Sequence, residues 1–446
     1  MSEALARLFR VQGSEIPALL LFAGLMLANS LAMQVSYVAS LSGFLKADGL
    51  HAIWIVWLID YGLFLVIAVA QSLIIDRFDR VKFLRAVLIA FSLVFLALWL
   101  ALQLGTSERL VYAILYLVAE QQWMLFPLVY WVLANDAWSV AQAKRIFPIL
   151  AGSGFVGKLI GLALAAAAPA MLRGVGFDVG VLLLFNVATY LAAIALLQAL
   201  QRRVPLRQVR RRPESARAAL SEGAAFIRNV PSFRYLTIAL LALMVIDTVI
   251  EFHFLVYTDA AFLTQEAYQT FYSLYRMGAV SLAFGVQLFV TRRLLVRVEL
   301  KDALSVQPFV ALVMLTLAIA VPGVGSAVLG LLAFRLVGET FHDTAQKALQ
   351  GLVPEERRGR VGIVLESYVV AVGTIVGASV IGAVTLLSAA GERFDSALIY
   401  LPVAVAAAAC AIIAALRMRR DYDASLLNWR LRRRQRTSAS VLDDLL

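Results

Sequence analysis

Twelve stretches of this chain are apolar over about 20 residues, the length at which an α-helix crosses the ~30 Å hydrocarbon core of a bilayer. They fall at roughly 16–43, 52–75, 83–104, 109–135, 146–171, 178–200, 234–259, 268–291, 303–321, 325–345, 361–388 and 396–417. In lipid the backbone has no water to bond to, so a run of this length must satisfy its own N–H and C=O groups as a helix. Several runs are longer than the hydrocarbon core needs, which predicts tilt or extension beyond the lipid. With 62% hydrophobic and 15% charged residues, the chain has too few polar side chains to clothe a soluble protein of this size. The expected fold is an all-α integral membrane protein of twelve transmembrane helices.

The apolar runs divide around residues 202–217, where seven of sixteen residues are arginine. A basic segment this close to long apolar runs is a topology signal rather than a nucleic-acid arm. If both termini are cytoplasmic, 33 of the 40 Lys and Arg lie on the cytoplasmic side. Only Lys46, Arg109, Arg173 and Arg393 lie on the other side. This asymmetry predicts a multi-pass protein of the plasma (inner) membrane with both termini inside. The expected organisation is a six-helix half over 1–200, a basic connector with a short amphipathic helix over 201–232, a second six-helix half over 233–417, and a basic tail over 418–446. In the tail, Arg432, Arg433 and Arg434 are candidates for holding anionic lipid headgroups. The N-terminus lacks a cleavable-signal pattern, so the first run is expected to stay as an anchor. The lone Cys410 offers no intrachain disulfide.

Ionisable groups at bilayer depth cost ~2.5–3.5 kcal/mol each on insertion scales, and so ask for a partner or a wet cavity. Glu120 and Lys158 fall near mid-membrane on runs 4 and 5 and can pair. Arg276 and Glu251 lie at similar depths on runs 8 and 7. Arg335 and Glu339 stand one turn apart on run 10, with Asp343 continuing their face and Glu366 at a similar depth on run 11. Asp247 has fewer evident partners. Each charge is readable as a structural pair or as a working group. Tyr112, Tyr116, Tyr268 and Tyr272 either stack on a planar solute or belong to an interfacial belt.

Two motifs carry a family resemblance. SLIIDRFDRVKFLR, residues 72–85, places Asp76, Arg77, Asp79, Arg80 and Lys82 in a tight mixed-charge turn between runs 2 and 3. With six runs on each side of a basic loop, it resembles the signature loop of the major facilitator superfamily, with Ser72 and Asp79 in place of two glycines. Residues 135–161 read NDAWSVAQAKRIFPILAGSGFVGKLIG, and 342–362 partly echo them before Gly373, Gly377 and Gly382. This pattern resembles the ATP/ADP translocase (nucleotide transporter) branch.

The resemblance implies two related halves around a central cavity lined by spans 1, 4, 7 and 10, and a secondary transporter working by alternating access. It implies gating roles for Asp76, Arg77, Arg80, Asp136 and Arg145. The expected substrate-binding residues are Gln34, Tyr116, Glu120, Lys158, Arg276, Arg335 and Glu339. Asp247, Glu251 and Glu120 are the expected proton-coupling carboxylates. Three cations with carboxylates nearby match an ATP-sized tetra-anion poorly. An organic anion of lower charge, nucleotide-like metabolites included, is the expected substrate. A non-transporting membrane scaffold or sensor of the same fold, or a lipid translocator, stays open. The chain has no metal-ligand spacing, phosphate loop or nucleophilic triad, so neither an enzyme nor a cofactor is expected, and no nucleic-acid partner.

Overall fold

The structure is a computed structural model, and it describes residues 12–74, 79–174, 180–203, 216–291, 299–350, 353, 355–389 and 397–443. Every regular element among them is helical. In the first half these are α1 (Ile16–Phe44), α2 (Ile53–Ile74), α3 (Arg80–Gln103), α4 (Glu108–Ala137), α5 (Val140–Arg173) and α6 (Val181–Arg203). The connector helix is α7 (Ala216–Asn229). The second half contains α8 (Pro231–Ala261), α9 (Gln265–Val286), α10 (Leu300–Ala320), α11 (Val324–Val337), α12 (Asp343–Gln350), α13 (Glu355–Ile363), α14 (Val370–Ala389) and α15 (Ala397–Asp443).

Eleven helical runs are long and apolar enough to cross a membrane among the described residues. The remaining expected span is α4, whose 30 residues reach about 45 Å at 1.5 Å per residue. Its central Glu120-Gln121-Gln122 makes it more polar than the others. The fold is therefore the expected all-α, twelve-span one. Spans 10 and 11 are each built from two helices. A wider i→i+5 turn, Gly338–His342, joins α11 to α12, and another, Val364–Val369, joins α13 to α14. The last helix does not stop at the end of its apolar run. It continues through the basic tail to Asp443.

The chain divides into two compact units. One comprises Met1–Val56, Ala70–Pro213 and Asp259–Val280; the other comprises Trp57–Val69, Glu214–Thr258 and Ser281–Leu446. In the first unit α1 packs against α4, α5 and α6, and α3 packs against α6. Glycine sets the closest of these approaches. A Cβ on Gly157 would lie 2.5 Å from the Leu27 carbonyl oxygen, and one on Gly161 would lie 2.6 Å from that of Leu31. These glycines are four residues apart on one face of α5, the spacing that lets two membrane helices touch backbone to backbone. The second unit repeats the device. A Cβ on Gly373 would meet Met244 Cβ at 2.6 Å, and one on Gly377 would meet Thr248 Cβ at 2.8 Å, where α14 crosses α8. Spans 5 and 1, and spans 11 and 7, thus meet through the same glycine pair in each half. That is a repeat in packing where the sequence repeat is faint.

A buried polar chain runs through the first unit. Gln122 Nε2 donates to Tyr190 Oη at 2.5 Å, and Tyr190 donates to Asn29 Oδ1 at 3.0 Å. Asn186 Nδ2 donates to Ser36 Oγ at 2.6 Å. These residues join α1, α4 and α6 in a low-dielectric interior, where an unmade hydrogen bond is costly.

Candidate functional site

The second unit gathers the charges of spans 7 and 10. Asp247 and Glu251 are four residues apart on α8, so both carboxylates leave the same face. Arg335 lies in the last turn of α11 and reaches both. Its Nε donates to Asp247 Oδ1 at 3.0 Å, and its Nη2 donates to Asp247 Oδ2 at 3.2 Å and to Glu251 Oε2 at 2.7 Å. The Asp247 contact uses the planar fork of the guanidinium side-on, a geometry that lysine cannot supply. Two carboxylates share one cation, so the ionised trio carries a surplus negative charge. The side chains are 26%, 28% and 14% exposed for Arg335, Asp247 and Glu251.

Depth alone sets Glu251 with Arg276, whereas Arg335 is the cation that bonds Glu251 within its own unit. Arg276 instead lies over the Tyr37 ring, 5.1 Å from its centroid, a cation–π contact. Tyr37 sits 5.5 Å from Tyr116 and 6.2 Å from Tyr272, centroid to centroid. All four belong to the first unit, because the outer part of α9 packs there. Tyr116 and Tyr272 are buried, while Tyr37 and Arg276 keep part of their surface. Tyr112 and Tyr268 are buried too, which removes them from a lipid-facing belt. Gln265 Nε2 donates to Tyr112 Oη at 3.2 Å, and Tyr268 stacks on Tyr272.

Glu120 and Lys158 are partly buried on α4 and α5, each engaged in polar or electrostatic interactions. Gln34 is buried on α1 against Gly161. Glu339 stands exposed on the wide turn after α11, and Asp343 lies within electrostatic reach of both Glu339 and Glu366. His253 is buried, with Nδ1 3.0 Å from Tyr400 Oη.

Arg80, Asp136 and Arg145, three of the expected gating residues, lie at the start of α3, the end of α4 and the start of α5. Asp76 and Arg77 fall outside the described residues. Arg80 pairs with Asp136, joining the start of α3 to the end of α4. Asp79, the departure from the family loop, caps α3 by accepting from the Val81 and Lys82 N–H groups at 3.0 and 3.1 Å. That satisfies two of the orphan donors at a helix start.

Arg145 pairs with a residue the sequence did not suggest, Glu15, at 3.2 Å. Glu15 also accepts from Gln142 Nε2 at 2.8 Å and from the Gln12 N–H at 2.9 Å. Burial pushes its carboxyl up, but the Gln12 and Gln142 bonds and Arg145 outweigh that, leaving its pKa below the ordinary 4.5. A depressed carboxyl contributes stability above its unfolded pKa and loses it as pH falls through the folded value. Glu15→Gln is therefore expected to lower the thermal midpoint in detergent at pH 7. The difference from wild type should shrink as pH falls below about 4.5. A pH-independent difference would remove the ionised Glu15 as its source.

At the opposite end, Lys46 Nζ donates to Asp259 twice, to its backbone oxygen at 2.8 Å and to Oδ1 at 2.5 Å, beside the Tyr268 ring. Gln269 Nε2 donates to the Ala165 carbonyl oxygen at 2.9 Å. Residues 259–280 are therefore bonded to α1 and α5 inside the first unit. Lys46 had a sequence signal, being one of only four basic residues on its side of the membrane in the expected topology. Its partner had none.

No family model and no curated protein matches the chain. Solved structures do. A bacterial homologue of the iron transporter ferroportin, in an inward-facing state, superposes with TM-score 0.64 at 16% identity, covering 94% of this chain and 99% of that one. A variant of the nucleoside transporter NupG gives TM-score 0.61 at 13% identity over 91% of this chain and 100% of that one. The POT family transporter PepTSo gives TM-score 0.61 at 14% identity over 91% and 98%. At such identities the likeness is one of fold, and the fold over nearly the whole chain is the major facilitator type.

Proposed function

We propose that this protein is a secondary transporter that moves a small organic anion by alternating access, with proton exchange at the Arg335–Asp247–Glu251 trio. The observation that carries the reading is that trio: one guanidinium held by two carboxylates, part-exposed, on the two second-half spans that line the cavity in folds of this type. A protein that only scaffolds a membrane has no need of a surplus charge there. Protonation of one carboxylate would leave a neutral pair and free part of the guanidinium fork. An anionic group of the solute could then take the vacated donors, so proton and anion would bind together. Within the first unit, Arg276 over the Tyr37 ring suits an aromatic or nucleotide-like group. Both the nucleoside transporter among the similar structures and the 135–161 motif are in keeping with that class. The Lys46–Asp259 and Arg80–Asp136 pairs are the proposed gate contacts at the two ends. The charge asymmetry supports an inner-membrane orientation with both termini in the cytoplasm.

The test is purified protein in liposomes, offered nucleotides, sugar phosphates and carboxylates with and without an imposed pH gradient. At least one anion is expected to show saturable uptake accelerated by the gradient. Asp247→Asn should retain solute exchange and lose the acceleration. Absence of flux across the panel would favour a scaffold or sensor. Movement of a lipid reporter in its place would favour a lipid translocator.

A further inference from the structure

The connector helix α7 is packed into the second unit at one particular point of span 11. Gly223 faces α13 so closely that a Cβ would lie 2.7 Å from the Arg360 carbonyl oxygen and 3.0 Å from Val364 Cγ2. Glu222, beside it, pairs with Arg360. One turn on, Ile227 enters a buried apolar cluster with Phe233, Val361, Val364, Leu365 and Met418. Phe226 packs edge-on against Phe233, their centroids 5.3 Å apart. Arg360 and Val364 flank the junction where span 11 leaves regular α-helix for the wide turn Val364–Val369.

A wide turn of this kind holds one residue more than an α-helix of the same rise. Resolving it would require α13 to rotate by about 100° and slide by about 1.5 Å against α14. The α7 contact opposes that movement from three directions: backbone against backbone at Gly223, charge against charge at Arg360, and apolar burial at Val361 and Val364. Within the turn itself, Glu366 Oε1 accepts from Gln350 Nε2 at 3.2 Å, and Glu366 lies within electrostatic reach of Asp343.

We propose that α7 is a register clamp. Its docking holds the wide turn of span 11 in place and so positions Glu366 on Gln350; its release lets the turn resolve and swings Glu366 away. The connector helix then acts on the charged interior of the second unit. The inference stands apart from the transport reading, because its readouts come from the protein itself.

The test is hydrogen exchange on the purified full chain, with a nitroxide label as a second readout. Gly223→Val should speed exchange across 355–369 at least tenfold and leave 140–173 unchanged. Ala224→Val puts the same valine side chain on the exposed face of α7 and should behave as wild type. Arg360→Gln removes the ion pair without overpacking and should speed the same segment less. If Gly223→Val accelerates exchange everywhere, Arg360→Gln decides: a local increase supports the clamp and none overturns it. The label goes on Ser367→Cys in a Cys410→Ala background, leaving Glu366 intact. Its line shape should change when Gly223→Val is added. Wild-type exchange at 355–369 in Gly223→Val, or a faster exchange there with an unaltered label spectrum, overturns the proposal.

Discussion

Gly157→Val should cost far more stability than a valine at Gly152 of the same helix. A valine Cβ there would have to sit 2.5 Å from the Leu27 carbonyl oxygen, well inside contact distance. The obstructing atom belongs to the α1 backbone, so no rotamer change relieves it, and the two helices must separate. Overpacking a core costs about 1–3 kcal/mol where side chains can give way. Here α1 also packs on α4 and α6, so the separation spreads. A loss at or above the upper end, about 3 kcal/mol, is expected. The control lies on the same helix. Gly152 has nothing within 4 Å of its Cβ position, so Gly152→Val should stay near wild type. Gly373→Val should repeat the large effect in the second unit, where the Met244 side chain and the Leu241 carbonyl oxygen take the place of Leu27. Thermal unfolding in detergent reads all three. Equal midpoints for the Gly157 and Gly152 variants would show that α1 and α5 do not depend on this contact.

That contrast marks where sequence reading reached its limit. The run of glycines at 152, 154, 157 and 161 was visible as a packing helix, and the spacing of Gly157 and Gly161 put them on one face. Which glycines bear the contact depends on where α1 crosses, and composition does not carry a crossing point. The twelve spans were legible because each must supply about 20 apolar residues whatever its neighbours are. The Arg80–Asp136 contact joins two residues that a family pattern had already marked, although nothing in their spacing links them.

The wide turns were not legible. A single extra residue per turn, as at Gly338–His342 and Val364–Val369, leaves an apolar helix apolar. Depth counting treated span 10 as a straight helix and set Arg335 against Glu339. In the structure the guanidinium turns to α8, where Asp247 offers two oxygens to its fork. Glu15 was missed for a different reason. It lies just before a span, two residues ahead of Pro17, and reads as an ordinary acid at a helix start until α5 brings Gln142 and Arg145 beside it.

The charge trio makes the second large prediction, and it needs no substrate. Arg335→Gln removes the only cation bonded to Asp247 and Glu251 among the described residues and leaves two carboxylates one helical turn apart. Breaking a buried pair by deleting one partner costs about 3–5 kcal/mol. These side chains are partly exposed, so screening brings the expectation to the lower end of that range or below it. The loss should be repairable by removing charge. Arg335→Gln combined with Asp247→Asn and Glu251→Gln leaves no unbalanced ion and should recover most of the stability, since a neutral replacement of an ion pair is often nearly neutral in energy. The intermediate Arg335→Gln with Asp247→Asn should fall between. Asp247→Asn alone keeps a one-to-one pair of Arg335 with Glu251 and should be close to wild type. Thermal midpoints of wild type, Arg335→Gln, Asp247→Asn and their double variant form a cycle whose non-additivity measures the coupling. A midpoint for the triple variant no higher than that of Arg335→Gln alone would mean that the arginine stabilises by packing its stem, and that the carboxylates are not balanced against it.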